Sequence, residues 1–406
     1  MSTICLVSCT SRKTDFPTSA ENLYRSALFD SASSYAKARS DAWFILSAKF
    51  GLLAPYEHVS PYDESLHSMD RDARYAWARS VFRSLSKILK TGDRVIFLAG
   101  KLYREHLESM LASLGMVTAA PLSELGIGSQ VGWLQRLGKE RARIEDLDRL
   151  YSLLDRLANG VGGRRFLGSS SAKSNWPDKG LYFFFEPTQF RMLSPFDLRV
   201  VRVGTHGVST GSKSSLWNRL RTHRGGENGS GNHRGSIFRL HVGEALARSS
   251  GLDAVFPNWG VGQTASKEIR EAEEELELQV SEILGKMSLL WISIGDESGP
   301  SSDRAYLEKN VIGLLAGAGT GPVDLPTGIW LGRWSTRPSI RESGLWNVNY
   351  VGAWYDRFAL DVLERYVDIT LGLLPTSNLS FAPANWQARE SSTSNLAQQM
   401  PLLGES

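Results

Sequence analysis

The chain has 406 residues, 42% hydrophobic and 22% charged, with a formal net charge of +3; that length favours two domains, and the near-neutral balance offers no global field for nucleic acid. No apolar run approaches the roughly 20 residues of a membrane span, so no membrane partner is expected. The start MSTICLVSCTSRK lacks the regions of a signal peptide, and cysteine is confined to Cys5 and Cys9, which together point to a reduced, cytoplasmic location.

Residues 1–138 alternate strand and helix signals. TICLVSC, AWFILSA and RVIFLAG are short apolar runs without helical period. Between them AENLYRSALFDSASSYAKARS and RYAWARSVFRSLSKILK carry apolar residues at helical spacing. Near-continuous apolar strands between helices imply an α/β domain with a parallel or mostly parallel sheet covered on both faces. KLYREHLESMLASLG adds a helix, and Gly115 can stop it. Ligands of such sheets gather at the carboxyl ends of the strands. SCTSRK and SAKFGLL both lie just past strands. Cys9, Arg12, Lys13, Lys49, Tyr62 and Asp63 are therefore pocket candidates, with a purely structural turn as the competing reading. Cations for phosphate, a tyrosine for stacking and an acid for a base edge would suit a nucleobase or nucleotide.

Residues 139–179 read as a connection. KERARIEDLDRLYSLLDRLA (139–158) is a charged helix. NGVGGRRFLGSSSAKSNWPDKG (159–180) is rich in Gly and Ser and has no period, so a linker is expected there.

Residues 180–375 change character. GLYFFFE and LRVVRVGTH read as adjacent antiparallel strands. SSLWNRLRTHR reads as a helix capped by Ser214 or Ser215, with Leu216 and Leu220 as its apolar stripe. The acidic run KEIREAEEELELQVSEIL (267–284) reads as a solvated helix with Ile269, Leu276, Val280 and Ile283 inward. The strand SLLWISI and the helix SSDRAYLEKNVIGLLAG follow. The polar, aperiodic residues 376–406 read as a disordered tail.

Polar residues of this half can be read as chemistry. Arg219 and His223 are four apart on one helix and share a face. Tyr182 sits in the first strand and Glu308 on the last helix, where pairing with Arg304 is the competing reading. Tyrosine, arginine, histidine and carboxylate suffice for phosphodiester hydrolysis. The carboxylate can hold a hard divalent cation that polarises a phosphoryl oxygen. Arginine offers a planar fork matched to phosphate. Tyrosine or histidine could take a proton from water. The stretch 212–243 also sets Lys213, Arg219, Arg221, Arg224, Arg234 and Arg239 against a single acid, Glu227. His233, Arg234 and Arg239 lie among glycines there, as in a segment that meets phosphates.

GLY at 180–182, RVG at 202–204, Arg219 with His223, and LEKNVIG at 307–313 resemble the motifs of the GIY-YIG endonucleases. The resemblance covers roughly 180–350, with an insertion around 224–285. It implies an α+β domain with a small antiparallel sheet flanked by helices. It places Tyr182 near the attacking water and Glu308 on Mg2+ or Mn2+. The second motif has Arg202 where a tyrosine is usual, with His206 or His223 as replacement proton carriers. The family's asparagine has only a distant match, Asn347. VSCTSRK, LYRSALF, ILSAKFGLLAPYEHVSPYDESL and GIGSQVGWL resemble an uncharacterised domain group built on S-A-K-[FY]-G-L-L, distantly similar to the YaaA family. YaaA-like proteins are associated with DNA.

The expectation is a metal-dependent DNA endonuclease of restriction or phage-defence type. Its first domain would recognise a base, a modified one included. Arg224, His233, Arg234, Arg239 and Asn347 would grip DNA. Two alternatives remain open at this point: a glycosylase-like first domain coupled to strand cleavage, and a nucleic-acid-binding protein without catalysis.

Overall fold

The computed structural model of the chain describes residues 1–376, 380–384 and 386–387. It divides into two compact units: Met1–Arg141 with Phe190–Asp197, and Ala142–Gln189 with the chain from Leu198 onward.

In the first unit five strands, β1 (Thr3–Ser8), β2 (Ala42–Ser47), β3 (Gly51–Leu53), β4 (Arg94–Leu98) and β5 (Val117–Ala119), lie in the order β3-β2-β1-β4-β5. Neighbours β2, β1, β4 and β5 run parallel, and β3 is antiparallel to β2. Cys5 and Leu6 of the central strand are fully buried, as a strand covered on both faces requires. The flanking helices are α1 (Ala27–Arg39), α2 (Arg71–Leu85), α3 (Leu107–Ser113) and α4 (Ile127–Lys139). Ser26 and Asp70 cap α1 and α2 by accepting the amides of Phe29 and Ala73. α2 turns Trp77, Ala78, Val81 and Leu85 onto the sheet. The mostly parallel α/β sheet is the expected one. The helix expected over 101–115 breaks after Arg104, and α3 resumes at Leu107.

The second unit opens with α5 (Arg141–Gly160) and contains strands β6 (Arg165–Phe166), β7 (Gly180–Phe190), β8 (Leu198–Gly204) and β9 (Ser288–Ser293), in the order β8-β7-β9-β6. β9 is antiparallel to both β7 and β6. Around the sheet lie α6 (Leu216–Arg224), α7 (Ile237–Ser249), α8 (Lys267–Ala272), α9 (Glu274–Gly285), α10 (Asp303–Ala316) and α11 (Ala359–Thr370). Ser215 caps α6 by accepting the amide of Asn218 at 3.2 Å. This is the small antiparallel sheet flanked by helices that the sequence led us to expect.

The connection expected over 139–179 is built into this unit. α5 buries Ile144, Leu147, Leu150, Tyr151, Leu154 and Leu157 at helical spacing. Its Arg143 donates to the carbonyls of Leu314 (3.1 Å) and Gly321 (3.0 Å) at the end of α10. The Gly/Ser stretch is an edge of the sheet rather than a linker. β6 pairs with β9, Leu167 donates to Met287 (3.0 Å), and Gly168 donates to Gly285 (3.1 Å). A Cβ at Gly168 would lie 3.1 Å from the Gly285 carbonyl oxygen. Glycine there permits backbone approach, not flexibility.

The acidic run also departs from expectation. It breaks at Glu273 into α8 and α9, and Glu273 and Glu277 are buried rather than solvated. Of the expected tail, Phe381 and Ala382 donate to the Asp303 carboxylate (2.6 and 3.2 Å), and Trp386 packs on Tyr306. Residues 377–379, 385 and 388–406 of that tail lie outside the described residues.

Limited proteolysis of the full chain is expected to spare 163–176. Gly168→Val should lower the unfolding temperature by several degrees, because overpacking costs about 1–3 kcal/mol. A first cut within GSSSAKSN would show a free linker instead.

Candidate active site

Tyr182 lies in β7, with Trp291 of β9 as its cross-strand partner. Its hydroxyl is 2.9 Å from Nε2 of His223, in the last turn of α6. Nδ1 of His223 lies 2.7 Å from the hydroxyl of Ser236, which caps α7. The imidazole is 0% exposed. Burial, and then the charges of Arg219, Arg202 and Arg239, push its pKa well below the usual range, so the ring is neutral. The phenol fits only because position 204 is glycine: a Cβ there would overlap its ring and hydroxyl. A Cβ at Gly180 would likewise overlap the Ile292 carbonyl of β9.

Arg202 of β8 lies with its guanidinium 4.7 Å from the ring centroid of Phe238 and donates to the Trp346 carbonyl. Burial lowers its pKa, and the neighbouring Tyr182 and Glu308 oppose that shift. Glu308 of α10 accepts the amide of Thr205 at 3.3 Å. Burial raises its pKa to about 7, against Arg202, the Thr205 amide and Arg219. Arg304 is turned away from Glu308, pairing with Asp296 at 2.6 Å and donating to the carbonyl of His206. Arg219 is half-buried, and its guanidinium has no ion pair or hydrogen bond among the described residues. Its charge is nonetheless felt by Arg202, His206, His223 and Glu308. Tyr182, Arg202, Arg219, His223 and Glu308 thus form one cluster. Tyr350 joins it: burial and the charge of Glu308 raise its phenol pKa, and its φ is +66°. Neither its backbone strain nor its neighbour is visible in a lone loop tyrosine.

A family model of the GIY-YIG domain matches residues 141–372, more than half of the chain. The chain belongs to the GIY-YIG family. A GIY-YIG domain is a phosphodiester-hydrolysing endonuclease domain with nucleic acid as its substrate. A family of unknown function (DUF6884) matches residues 4–136. The uncharacterized protein YfjM of Bacillus subtilis (strain 168) is 29% identical over 149 residues, 35% of this chain and 98% of that protein. No solved structure matches. Among the described residues no helix is long and apolar enough to cross a membrane.

GIY-YIG nucleases use a divalent cation, and the donors here fit one in a restricted way. Among the described residues no three His, Cys, Asp or Glu gather at a point. The single carboxylate of Glu308 suits a hard ion that keeps most of its water and takes further oxygens from phosphate.

Several expected site residues of the GIY-YIG domain have other work. The Nδ1–H of His206 donates to the Ser214 carbonyl (3.0 Å), and its Nε2 accepts the Gly180 amide (3.3 Å). Burial, and then Arg304, hold its pKa down at about 4. With both nitrogens engaged, it fastens the first motif to the entry of α6 and is not a proton carrier. His233 meets Glu277 through its amide (2.6 Å) and Nδ1 (3.0 Å) and stacks on Trp259. Arg234 donates twice to Glu273 (2.6 and 2.9 Å). Arg239, 0% exposed, forks onto Glu277 through Nε (2.8 Å) and Nη2. Asn347 brackets Val203, accepting its amide (3.0 Å) and donating to its carbonyl (2.7 Å). These four are internal, because the acidic α8–α9 segment supplies the counter-charges and β8 needs a clamp. Arg224 keeps a partly exposed side chain, 4.0 Å from the exposed Glu227.

In the first unit the sheet's carboxyl end gathers Cys9, Lys13 and Tyr62, together with Tyr24, Ser47 and Tyr103. The Tyr62 hydroxyl lies 2.9 Å from that of Tyr24 and 2.8 Å from that of Ser47. Cys9 Sγ lies 3.1 Å from the Tyr103 hydroxyl, and Lys13 Nζ is 4.2 Å from the Tyr62 ring centroid. Burial pushes the Tyr24 phenol up to about 12 and that of Tyr62 higher. Lys49 instead pairs with Glu64 at the surface (3.0 Å), while Arg12 and Asp63 are exposed outside this cluster.

Two outcomes follow for the nuclease half. Arg239→Ala leaves the buried Glu277 without its guanidinium and held by His233 alone, so it should cost about 3 kcal/mol of stability, whereas Arg224→Ala should leave urea unfolding nearly unchanged. Equal midpoints for the two variants would show that Arg239 is a surface cation. His206 has a folded pKa of about 4 against an ordinary 6.5. Its neutral form is favoured by folding, so its contribution is complete above pH 6.5 and is lost as pH falls towards 4. The full effect is about 3 kcal/mol. Urea unfolding at pH 7 and pH 4.5 should therefore fall less in His206→Gln than in the parent, and parallel losses would refute the assignment.

Proposed function

We propose that the chain is a divalent-metal-dependent DNA endonuclease of restriction or phage-defence type, acting in the cytoplasm. The observation that carries this reading is the convergence of the Tyr182–His223 pair with Arg202, Arg219 and Glu308. Glu308 would hold Mg2+ or Mn2+, which when bound polarises a phosphoryl oxygen and eases departure of the leaving oxygen. Tyr182 would donate its proton to Nε2 of the neutral His223, leaving a lone pair of the phenol oxygen for the attacking water. As water oxygen bonds to phosphorus, its proton passes to Tyr182 while the tyrosine proton moves to Nε2. The P–O bond breaks and the leaving oxygen takes a proton from solvent; the imidazolium then returns its proton to the phenol oxygen as Tyr182 releases the water-derived proton to solvent, which restores both groups. Arg219, with no hydrogen bond or ion pair among the described residues, would fork onto the phosphoryl oxygens. Arg202 would hold charge beside the phenol.

The first unit would recognise a base, a modified one included. Support comes from the hydroxyl, thiol and ammonium groups gathered past β1 and β2, where ligands of parallel sheets sit.

Cleavage of modified and unmodified phage DNA, with and without magnesium or manganese, tests the reading. Glu308→Gln should abolish cutting while retaining DNA binding. Arg219→Ala should slow single-turnover cleavage at saturating DNA by about 10²–10³, and Arg219→Lys should recover only part of it. Wild-type cutting by Glu308→Gln would remove this site from consideration.

A further inference from the structure

The second unit holds another concavity, outside the Tyr182 cluster. A cavity of about 370 Å3 is lined by Arg165, Asn175, Trp176, Trp291 and Ser293, among others. Its volume falls within the range of small-ligand pockets.

The walls are aromatic and cationic. Trp176 and Trp291 meet edge to face with centroids 4.7 Å apart, and Trp176 stacks on Trp217 of α6 at 5.7 Å and 11°. The Arg165 guanidinium lies 4.5 Å from the Trp291 centroid and 5.3 Å from that of Trp176. Arg165 also donates to the Ser174 carbonyl, and the Trp176 indole N–H donates to the Ser171 carbonyl (2.8 Å), so both planes are fixed. Asn175 is exposed and holds a φ of +53°, an uncommon backbone conformation for a residue with a side chain. The supposed linker therefore supplies both the strained rim and one wall.

The cavity is tied to the cleavage cluster through the fold. Trp291 is the cross-strand partner of Tyr182, so the two side chains leave the same face of the sheet. Trp217 stands two residues before Arg219 on α6. Fixed indole and guanidinium planes stack bases irrespective of sequence. A carboxamide can pair with a base edge. A base arrives attached to phosphate, and α6 offers Arg219, Arg221 and Arg224 nearby in the chain. A base inside a duplex presents no free face, so the occupant must be unpaired.

We propose that this pocket takes one unpaired nucleobase of the nucleic acid that the domain cuts. The inference rests on the nuclease reading above.

Single-stranded DNA carrying one 2-aminopurine, titrated into the full chain in EDTA, tests this without cleavage. Stacking in the pocket should quench both 2-aminopurine and tryptophan emission. Trp176→Ala should weaken binding roughly tenfold without changing its salt slope, because no phosphate contact is lost. Asn175→Gly suits a positive φ, so it should fold like the parent and flatten the preference among dA, dC, dG and dT homopolymers. Trp176→Phe, which keeps a ring, should fall between the parent and Trp176→Ala. No quenching by the parent would overturn the pocket, as would parental affinity in Trp176→Ala. So would an unchanged base preference and quench in Asn175→Gly, which remains decisive where Trp176→Ala fails to fold. Glu308→Gln should quench as the parent does. If that variant still cuts while quenching persists, the cleavage assignment fails and the pocket stands.

Discussion

A guanidinium with no exposed surface is tolerable only when a counter-charge and hydrogen bonds surround it. Arg239 meets that condition through the fork onto Glu277, and the setting of the Tyr182–His223 pair hangs on it. The same carboxylate receives the amide and ring of His233. The remaining N–H groups of Arg239 reach the carbonyls of His223 (3.1 Å) and Arg224 (3.3 Å), closing the C-terminal end of α6. Ser236 caps α7 through the Arg239 amide and touches His223 with the same hydroxyl. His223 is thereby fixed from outside its own helix, and Tyr182 with it. The chain must pass tightly around the guanidinium: a Cβ at Gly231 would overlap it. The segment between α6 and β9 therefore fixes the placement of His223 and Tyr182.

The same logic separates what could be read in the sequence from what could not. The central strands were legible because buried strands need unbroken apolar runs; the short β3, β5 and β6 were not, because short edge strands carry no such run. Tyr182 and Gly204 are linked by the sheet: a phenol can lie over β8 only where β8 carries no side chain. Arg234 and Arg239 were misjudged because their partners lie 39 and 38 residues away, respectively. A cation count along the chain cannot tell an internal pair from a phosphate contact. Glycine raised the same ambiguity at 168, since close approach and flexibility draw on one residue type. Trp176, Trp217 and Trp291 come from three distant segments, so no local pattern announces their junction.

The replacement of a second-motif tyrosine by Arg202 is the feature that most changes the site's chemistry. A phenol at that position would be neutral and could itself pass a proton. The buried guanidinium cannot, but it brings a charge that acts on every neighbour. It lowers the pKa of His223, helping to keep the ring neutral, and it opposes the burial that raises Glu308 to about 7. Burial still prevails at Glu308, so the carboxyl sits where modest changes in local charge decide its ionisation. In the proposed mechanism proton handling then falls to Tyr182 and His223 alone, since His206 has no free nitrogen. An arginine there also needs its own accommodation, which the Trp346 carbonyl and the face of Phe238 provide. Both come from beyond the two motif strands, one from α7 and one from the loop after Gly344. The guanidinium is thus buried beside the phenol with its charge received by groups from outside the two motif strands.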